Sequence, residues 1–350
     1  MKPFDFVQPT TVDEALAAWE PGAAWLGGGT NLVDLMKTGA LAPTRVIDVT
    51  RLSGLDRIEH CEDGSFRLGA LVRNSDLAHD GEMLANFPMV SEALLAGASG
   101  QLRNAATLAG NLMQRTRCPY FMDPLYACNR RDPGAGCDAK GGAWENAAIL
   151  GHGEGCIATN PSDFCVPLSV LDAIVEVQGP DGAREIPLRD FHRLPDDESV
   201  RETALEPGEL ILALRLPASG RAFAGNSRYL KVRERTSYAF ALVSAAAAFR
   251  MDGGRIAEAR LALGSVAAKP WRVSAAEDLL SGEVPDDDLF ARAAGIALQD
   301  AVPSNGNGWK IDLARRTAAR ALRLAATGTP ERMPALPASP FGQAEAPAHA

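Results

Sequence analysis

Leu26-Gly27-Gly28-Gly29-Thr30-Asn31-Leu32 decides how the first half of this 350-residue chain is read. The apolar pair Trp25-Leu26 predicts a short strand, and the residues from Leu32 predict a helix, so three glycines occupy a strand-to-helix turn. Backbone N–H groups unhindered by side chains can close there around an anionic phosphate. The stretch has neither the Lys-Ser/Thr ending of a P-loop nor the Gly-x-Gly-x-x-Gly spacing of a dinucleotide turn, so alone it fits a plain tight turn equally well. A second stretch, Ala106-Thr107-Leu108-Ala109-Gly110-Asn111-Leu112, again combines hydroxyl, glycine and amide, the small hydrogen-bonding set that phosphate oxygens need. Two such loops suggest a cofactor carrying a diphosphate.

Outward from the first loop, Thr11-Val12-Asp13-Glu14 has capping-box form and predicts a helix over 15–19. Strands are predicted at 46–49 and 66–70 and short helices at 76–78 and 90–97, a mixed α and β pattern. Strands at 173–178 and 184–188 flank the turn Gly179-Pro180-Asp181-Gly182, and 209–216 is another strand. After a break at 217–226, the segments 228–234, 241–251 and 255–264 read as three antiparallel strands, although Ala245 to Ala248 could equally be helical. Helices follow at 272–280, 286–301 and 310–326, with Gly282 and Gly328 as stops. From Thr329 onward, prolines among alanines predict a disordered or extended tail.

A net charge of -9 and a pI near 5.2, with no clustered Lys/Arg run, argue against nucleic acid as a partner. No apolar run is long enough to span a bilayer and no apolar signal core opens the chain, so no membrane partner and no export address of its own are expected. Six cysteines are too few for a disulfide scaffold, which favours a reducing compartment and cytoplasmic synthesis.

Four of those cysteines, Cys118, Cys128, Cys137 and Cys156, fall within 39 residues. The intervening Asn129-Arg130-Arg131-Asp132-Pro133-Gly134-Ala135-Gly136 is loop chemistry that lets separate thiolates converge. Four soft thiolates suit zinc or an iron-sulfur centre, and the closely paired ligands of common zinc patterns are absent. The bland alternative is four reduced core thiols. Cys165 reads as a small core hydrophobe and Cys61 as a bystander. The five histidines form no His-x-x-x-His pair, and His152 reads as a loop histidine bonded to backbone. No Ser, His and Asp set argues for hydrolysis.

Both glycine loops, with Gln101-Leu102-Arg103-Asn104, Asn160-Pro161-Ser162-Asp163, Leu171-Asp172-Ala173 and Tyr229-Leu230-Lys231-Val232-Arg233-Glu234-Arg235, follow an order that resembles the flavin-binding medium subunit of the molybdenum hydroxylases. That is the xanthine dehydrogenase and aldehyde oxidoreductase family, and the likeness spans roughly residues 1–326. It implies an α+β chain: a two-subdomain FAD-binding fold of the PCMH and vanillyl-alcohol-oxidase type over 1–222, with an insertion at about 113–157. A small domain with a three-stranded antiparallel sheet and a helix bundle would occupy 226–328, and the tail 329–350.

In that family the loops grip the FAD pyrophosphate, which by position implicates Leu26, Gly27, Gly28, Gly29, Thr30, Asn31 and Leu32 together with Thr107, Gly110 and Asn111. Ala109 stands where the family commonly has a glycine. Asp163 is implied to bind the ribityl or ring region, and Lys231 to reach the cofactor from the second domain, an exposed strand lysine being the alternative. Cys118, Cys128, Cys137 and Cys156 resemble the ligands of the extra 4Fe4S cluster in periplasmic-type aldehyde oxidoreductases. The implied role is electron transfer within a heterotrimer, from a molybdenum-cofactor large subunit and a 2Fe2S small subunit through FAD to an external acceptor. Such complexes can be exported folded on the small subunit's signal, so a periplasmic destination is compatible. No catalytic acid or base is then required of this chain. The rival classes are a metal-stapled assembly module without flavin and a stand-alone flavin oxidoreductase.

Overall fold

The computed structural model describes residues 1–195 and 201–331. Its first sheet is parallel, ordered β1-β3-β2, from β1 (Asp5–Val7), β2 (Ala23–Leu26) and β3 (Arg45–Asp48). Parallel neighbours need crossovers, which the helices Val12–Ala18 and Leu32–Thr38 supply. The capping box forms as the sequence predicts: the Thr11 hydroxyl accepts the Glu14 N–H at 3.2 Å, and the Glu14 carboxylate accepts the Thr11 N–H at 3.3 Å. The first glycine loop leaves β2 at its carboxyl end, the edge where open α/β sheets place ligands.

The second sheet is antiparallel, ordered β4-β5-β8-β6-β7, from β4 (Ile58–His60), β5 (Phe66–Gly69), β6 (Ile174–Gly179), β7 (Gly182–Pro187) and β8 (Leu210–Leu216). Period-two alternation buries Phe66, Leu68, Val175, Val177, Leu214 and Leu216 on one face. The helices Pro88–Ala96 and Cys165–Val170 cover that face. Each fully buried Leu, Val or Phe there contributes about 1.5–3 kcal/mol.

The third sheet corrects the sequence reading. It has four strands, ordered β12-β11-β10-β9, from β9 (Ser227–Val232), β10 (Val243–Asp252), β11 (Arg255–Gly264) and β12 (Trp271–Arg272). β12 is two residues long, too short for any alternation to reveal, and its pairing to Ala262 and Leu263 delays the next helix to Ser274–Leu280. Ala245 to Ala248 are strand. Ala246 and Ala248 face the first domain's core while Ala245 and Ala247 face the C-terminal helices. Small side chains on both faces let the sheet be covered on two sides, and the resulting all-apolar run carries no period to separate strand from helix.

The helices Asp287–Ala297 and Gly308–Ala326 complete that cover. Gly282 and Gly328 follow helices in the left-handed region, at φ 85° and 100°. Thr329 donates its N–H to Gly225 O at 2.8 Å, and the remaining tail expectation, 332–350, lies outside the described residues. No helix among the described residues is long and apolar enough to cross a membrane.

Candidate functional site

The two glycine loops meet backbone to backbone. A Cβ on Gly28 would collide with the Ala105 carbonyl, and one on Gly27 would sit 2.8 Å from Thr107 Oγ1. The first loop's glycines therefore serve loop–loop contact as much as ligand access. Thr107 caps the short helix Leu108–Leu112, its hydroxyl accepting the Gly110 N–H at 3.2 Å. The Leu108 and Ala109 N–H groups donate to Val72 O and Ala70 O, both at 3.0 Å, tying the second loop to the end of β5. The Ala109 methyl is accommodated there, at the edge of a cavity.

Two cavities share one seam. The larger, about 770 Å³, is lined by Asn74, Arg103, Asn111, Arg117, Asp163 and Lys231 among others. The smaller, about 220 Å³, is more apolar and is lined by Trp25, Gly27, Gly28, Leu32, Thr107 and Leu210 among others. Gly29, Thr30, Asn31 and Gly110 line both. Asn31 Oδ1 accepts the Arg115 backbone N–H at 3.0 Å, but its buried Nδ2 has no hydrogen-bond partner among the described residues. A buried donor left so costs about 1–3 kcal/mol unless a ligand accepts from it. Leu26 ends β2 and lines neither cavity. Asn111 Oδ1 is engaged by Ser162 Oγ at 2.9 Å and Gln114 Nε2 at 2.5 Å, so its side-chain oxygen braces the loop.

Lys231 is not an exposed strand lysine. Its side chain is 3% exposed, and Nζ donates to Asp163 Oδ2 at 2.8 Å and Ala96 O at 3.2 Å. Tyr229 OH donates to Asp163 Oδ1 at 2.5 Å, and burial together with Asp163 pushes the tyrosine well above its usual titration range, keeping that proton in place. Tyr229 and Lys231 project from one face of β9, which joins the C-terminal sheet to the wall of the large cavity. Sequence reasoning passed over Tyr229, although spacing by two from Lys231 was the signal. It also missed Asn74, whose buried Oδ1 has no partner among the described residues.

Residues 2–219 match the family model of the FAD binding domain in molybdopterin dehydrogenase. The chain belongs to that family. Residues 228–325 match the CO dehydrogenase flavoprotein C-terminal domain. The chain is 49% identical over 327 residues to the aldehyde oxidoreductase FAD-binding subunit PaoB of Escherichia coli strain K12, covering 92% of this chain and 98% of that protein. It is 26% identical over 311 residues to the carbon monoxide dehydrogenase medium chain of Afipia carboxidovorans, covering 87% and 89%. The solved structure of reconstituted CO dehydrogenase from Oligotropha carboxidovorans shares the fold, with a TM-score of 0.74 at 23% identity over 94% of this chain and 99% of that one. This molybdopterin dehydrogenase flavoprotein is an FAD-binding component of an oxidoreductase.

The flavoprotein's four clustered cysteines line one further cavity, with Thr116, Tyr120, Phe121, Arg130 and Ile157. Cys118, Cys128 and Cys156 are buried and Cys137 is half-buried, all as free thiols. Cys128 and Cys137 face each other across an antiparallel bridge. No group of three or more His, Cys, Asp or Glu side chains among the described residues is arranged to hold a metal ion. Burial pushes the Cys118 thiol up to about 12 and raises Cys128 and Cys137 as well. Working against burial, N–H groups of Tyr120 and Phe121 point to Cys118, those of Arg130 and Arg131 to Cys128, and those of Lys140 and Ala139 to Cys137. Cys156 Sγ accepts from Ala158 N–H at 3.3 Å and from Arg130 Nε at 3.0 Å. His152 Nε2 donates to the backbone carbonyl Val302 O at 3.0 Å.

Proposed function

We propose that this flavoprotein is the FAD- and 4Fe4S-binding electron-transfer subunit of a heterotrimeric molybdenum-dependent aldehyde oxidoreductase. Its partners in this reading are a molybdenum-cofactor large subunit, a 2Fe2S small subunit and an external acceptor. The chain divides between a two-subdomain flavin fold of the PCMH type and a C-terminal domain beginning near β9. The observation that carries the flavin half is the seam: glycine-lined loops join a polar cavity to an apolar one, with the Asn31 amide donor unsatisfied between them. The aldehyde class rests on the likeness to PaoB.

The residues fit FAD. Gly29, Thr30, Asn31 and Gly110 would hold the diphosphate, the apolar cavity suits adenine, and the polar cavity suits the flavin ring and ribityl chain. Bound FAD supplies the exchange between two-electron and one-electron traffic. The chain's part is to keep the ring oriented. The buried Lys231–Asp163–Tyr229 set locks the C-terminal sheet against the ring cavity, and Arg117, paired to Asp34 at 2.6 Å and lying 5.1 Å from the Phe240 ring centre, pins the loop over its mouth.

The four cysteines also fit a cluster. Soft sulfur donors line one cavity, and N–H groups are aimed at the sulfurs, as thiolates carrying cluster charge require. Thiols pushed upward by burial do not ionise near neutrality unless a cation stabilises them, and a polynuclear centre spreads its ligands more widely than a single ion does. Bound there, a 4Fe4S cluster supplies one-electron transfer.

The test is the visible spectrum and iron content of the complex purified anaerobically, followed by dithionite. Flavin bands bleaching over a broad iron-sulfur shoulder, with about four irons beyond those of the small subunit, are expected. Flavin without that iron reduces the cysteine segment to a structural loop. Neither chromophore in a folded complex overturns the redox reading in favour of an assembly module.

A further inference from the structure

Of the four cysteines, Cys156 alone accepts a side-chain hydrogen bond among the described residues. Its donor is the Arg130 guanidinium, only 6% exposed, with Nε 3.0 Å from Sγ. The same guanidinium reaches Glu202 Oε1 through Nη1 at 3.1 Å. Arg115 Nε donates to that carboxylate oxygen at 2.8 Å, and Arg115 Nη2 to Arg130 O at 2.9 Å. Arg130 is a guanidinium and so a fixed cation, held between Cys156 Sγ and Glu202. Glu202, part-buried, is held in its ionised form by Arg130 and Arg115 on either side. One cation therefore touches a ligand sulfur, and one anion touches that cation from the far side.

We propose that Arg130 and Glu202 are opposed positioning residues that set the reduction potential of the centre held by Cys156 and its three companions. The proposal rests on the cluster reading above. Reduction adds one electron to the centre and makes or breaks no bond, and the Arg130 protons stay where they are. The reduced centre carries one more negative charge, so a donor N–H and a positive charge at Cys156 stabilise it and raise the potential. Glu202 offsets that positive charge and lowers the potential. Arg130 is 6% exposed and Glu202 17%, so both contributions are screened less than at an open surface, Arg130's the less of the two. Arg115 adds a physical link: its side chain holds Glu202 while its backbone N–H donates to Asn31 Oδ1 at 3.0 Å, in the flavin loop.

The experiment is a dithionite redox titration of the intact heterotrimer followed by electron paramagnetic resonance, with iron and FAD counted in each sample. The relevant signal is the one lost in Cys156→Ser. Arg130→Gln is expected to shift the reduction equilibrium at least tenfold toward the oxidised form, about 59 mV downward for a one-electron couple. Arg130→Lys should recover part of that shift, and Glu202→Gln should shift the potential upward. Opposite signs are the readout that a merely structural role does not give. If Arg130→Gln fails to load iron, the upward shift of Glu202→Gln decides alone. Unmoved potentials in iron-replete variants, shifts of the same sign, or loss of iron in both variants overturn the tuning role. A wild-type complex without the extra iron overturns the cluster reading itself, a result separable from all of these.

Discussion

Residues 26–32 and 106–112 take their shape from β2, β5 and the helices beside them, whereas residues 113–157 contain one regular element, the helix Pro119–Met122. The two glycine loops are fixed by backbone contact and by the core beneath. The cysteine segment is fixed by side chains reaching back to carbonyls: Arg131 Nη1 donates to Phe121 O at 2.8 Å and Tyr120 O at 3.1 Å, and Asn129 Nδ2 to Gly155 O at 2.9 Å. Each such bond is worth about 0.5–1.5 kcal/mol net, which is little against the ordering entropy of so irregular a stretch. The loops are therefore preorganised by the fold, whereas the cysteine segment, on the cluster reading proposed above, would draw part of its order from ligation, since ligation energy then becomes folding energy.

Cys128→Ser tests that contrast most severely. If the proposed cluster is bound there, the variant should lack its iron and lose amide-exchange protection across 118–156, while FAD stays bound and the three sheets stay protected. Persistent protection in that segment without iron would show that the cysteine loop is self-supporting and end the comparison.

Lys231→Met probes the other side. It strands Asp163 in a site where the carboxylate is 11% exposed, with Tyr229 OH its one remaining side-chain partner among the described residues. Removing one partner of a buried pair costs about 3–5 kcal/mol. Urea denaturation should show that loss, with iron content unchanged. A cost under about 1 kcal/mol would mean that the pair is solvated and that the two domains are not locked through it.

A pH effect of similar direction acts on the second loop. His192 is buried, its Nε2 donates to Leu112 O at 3.0 Å, and burial lowers its pKa from 6.5 to about 4. The folded value lies below the unfolded one, so the unfolded chain takes the proton first as pH falls. Its contribution is intact above pH 6.5 and is lost through the window down to about pH 4, up to about 3 kcal/mol. His192→Gln keeps a donor for Leu112 O and should flatten the acid slope of stability in that window. An unchanged slope would place the acid sensitivity in the carboxylates.

How far these regions were legible in the sequence follows from the range of the forces involved. The capping box, the glycine turns and the strand pair around Pro180-Asp181 are local, and they appear where the residues indicate. The clustering of four cysteines was plain, but the Arg130–Glu202 contact joins residues far apart in the chain, and no local pattern announces it. Whether Lys231 reached inward or stood exposed stayed open in the sequence, because β9's burial depends on which sheet face meets the first domain, a tertiary fact. β12 exists only through its partner strand.

Gly28→Val has the smallest expected cost in stability and the sharpest consequence for the flavin site. From the sequence, a side chain there would crowd the backbone against phosphate. The structure moves the collision to the Ala105 carbonyl, within the protein itself. Any side chain must therefore separate the two loops before a ligand is involved. Overpacking of this kind costs about 1–3 kcal/mol. The seam residues Gly29, Thr30, Asn31 and Gly110 would no longer face one another, so the purified variant should lack FAD while the cysteine segment, and any iron held there on the proposed reading, is unchanged. Gly28→Ala, with one methyl, should behave the same way, since the clash is with a backbone atom that has no rotamer to escape into. Full FAD occupancy in either variant would mean that the loops part without loss and that the seam is not where the diphosphate is held.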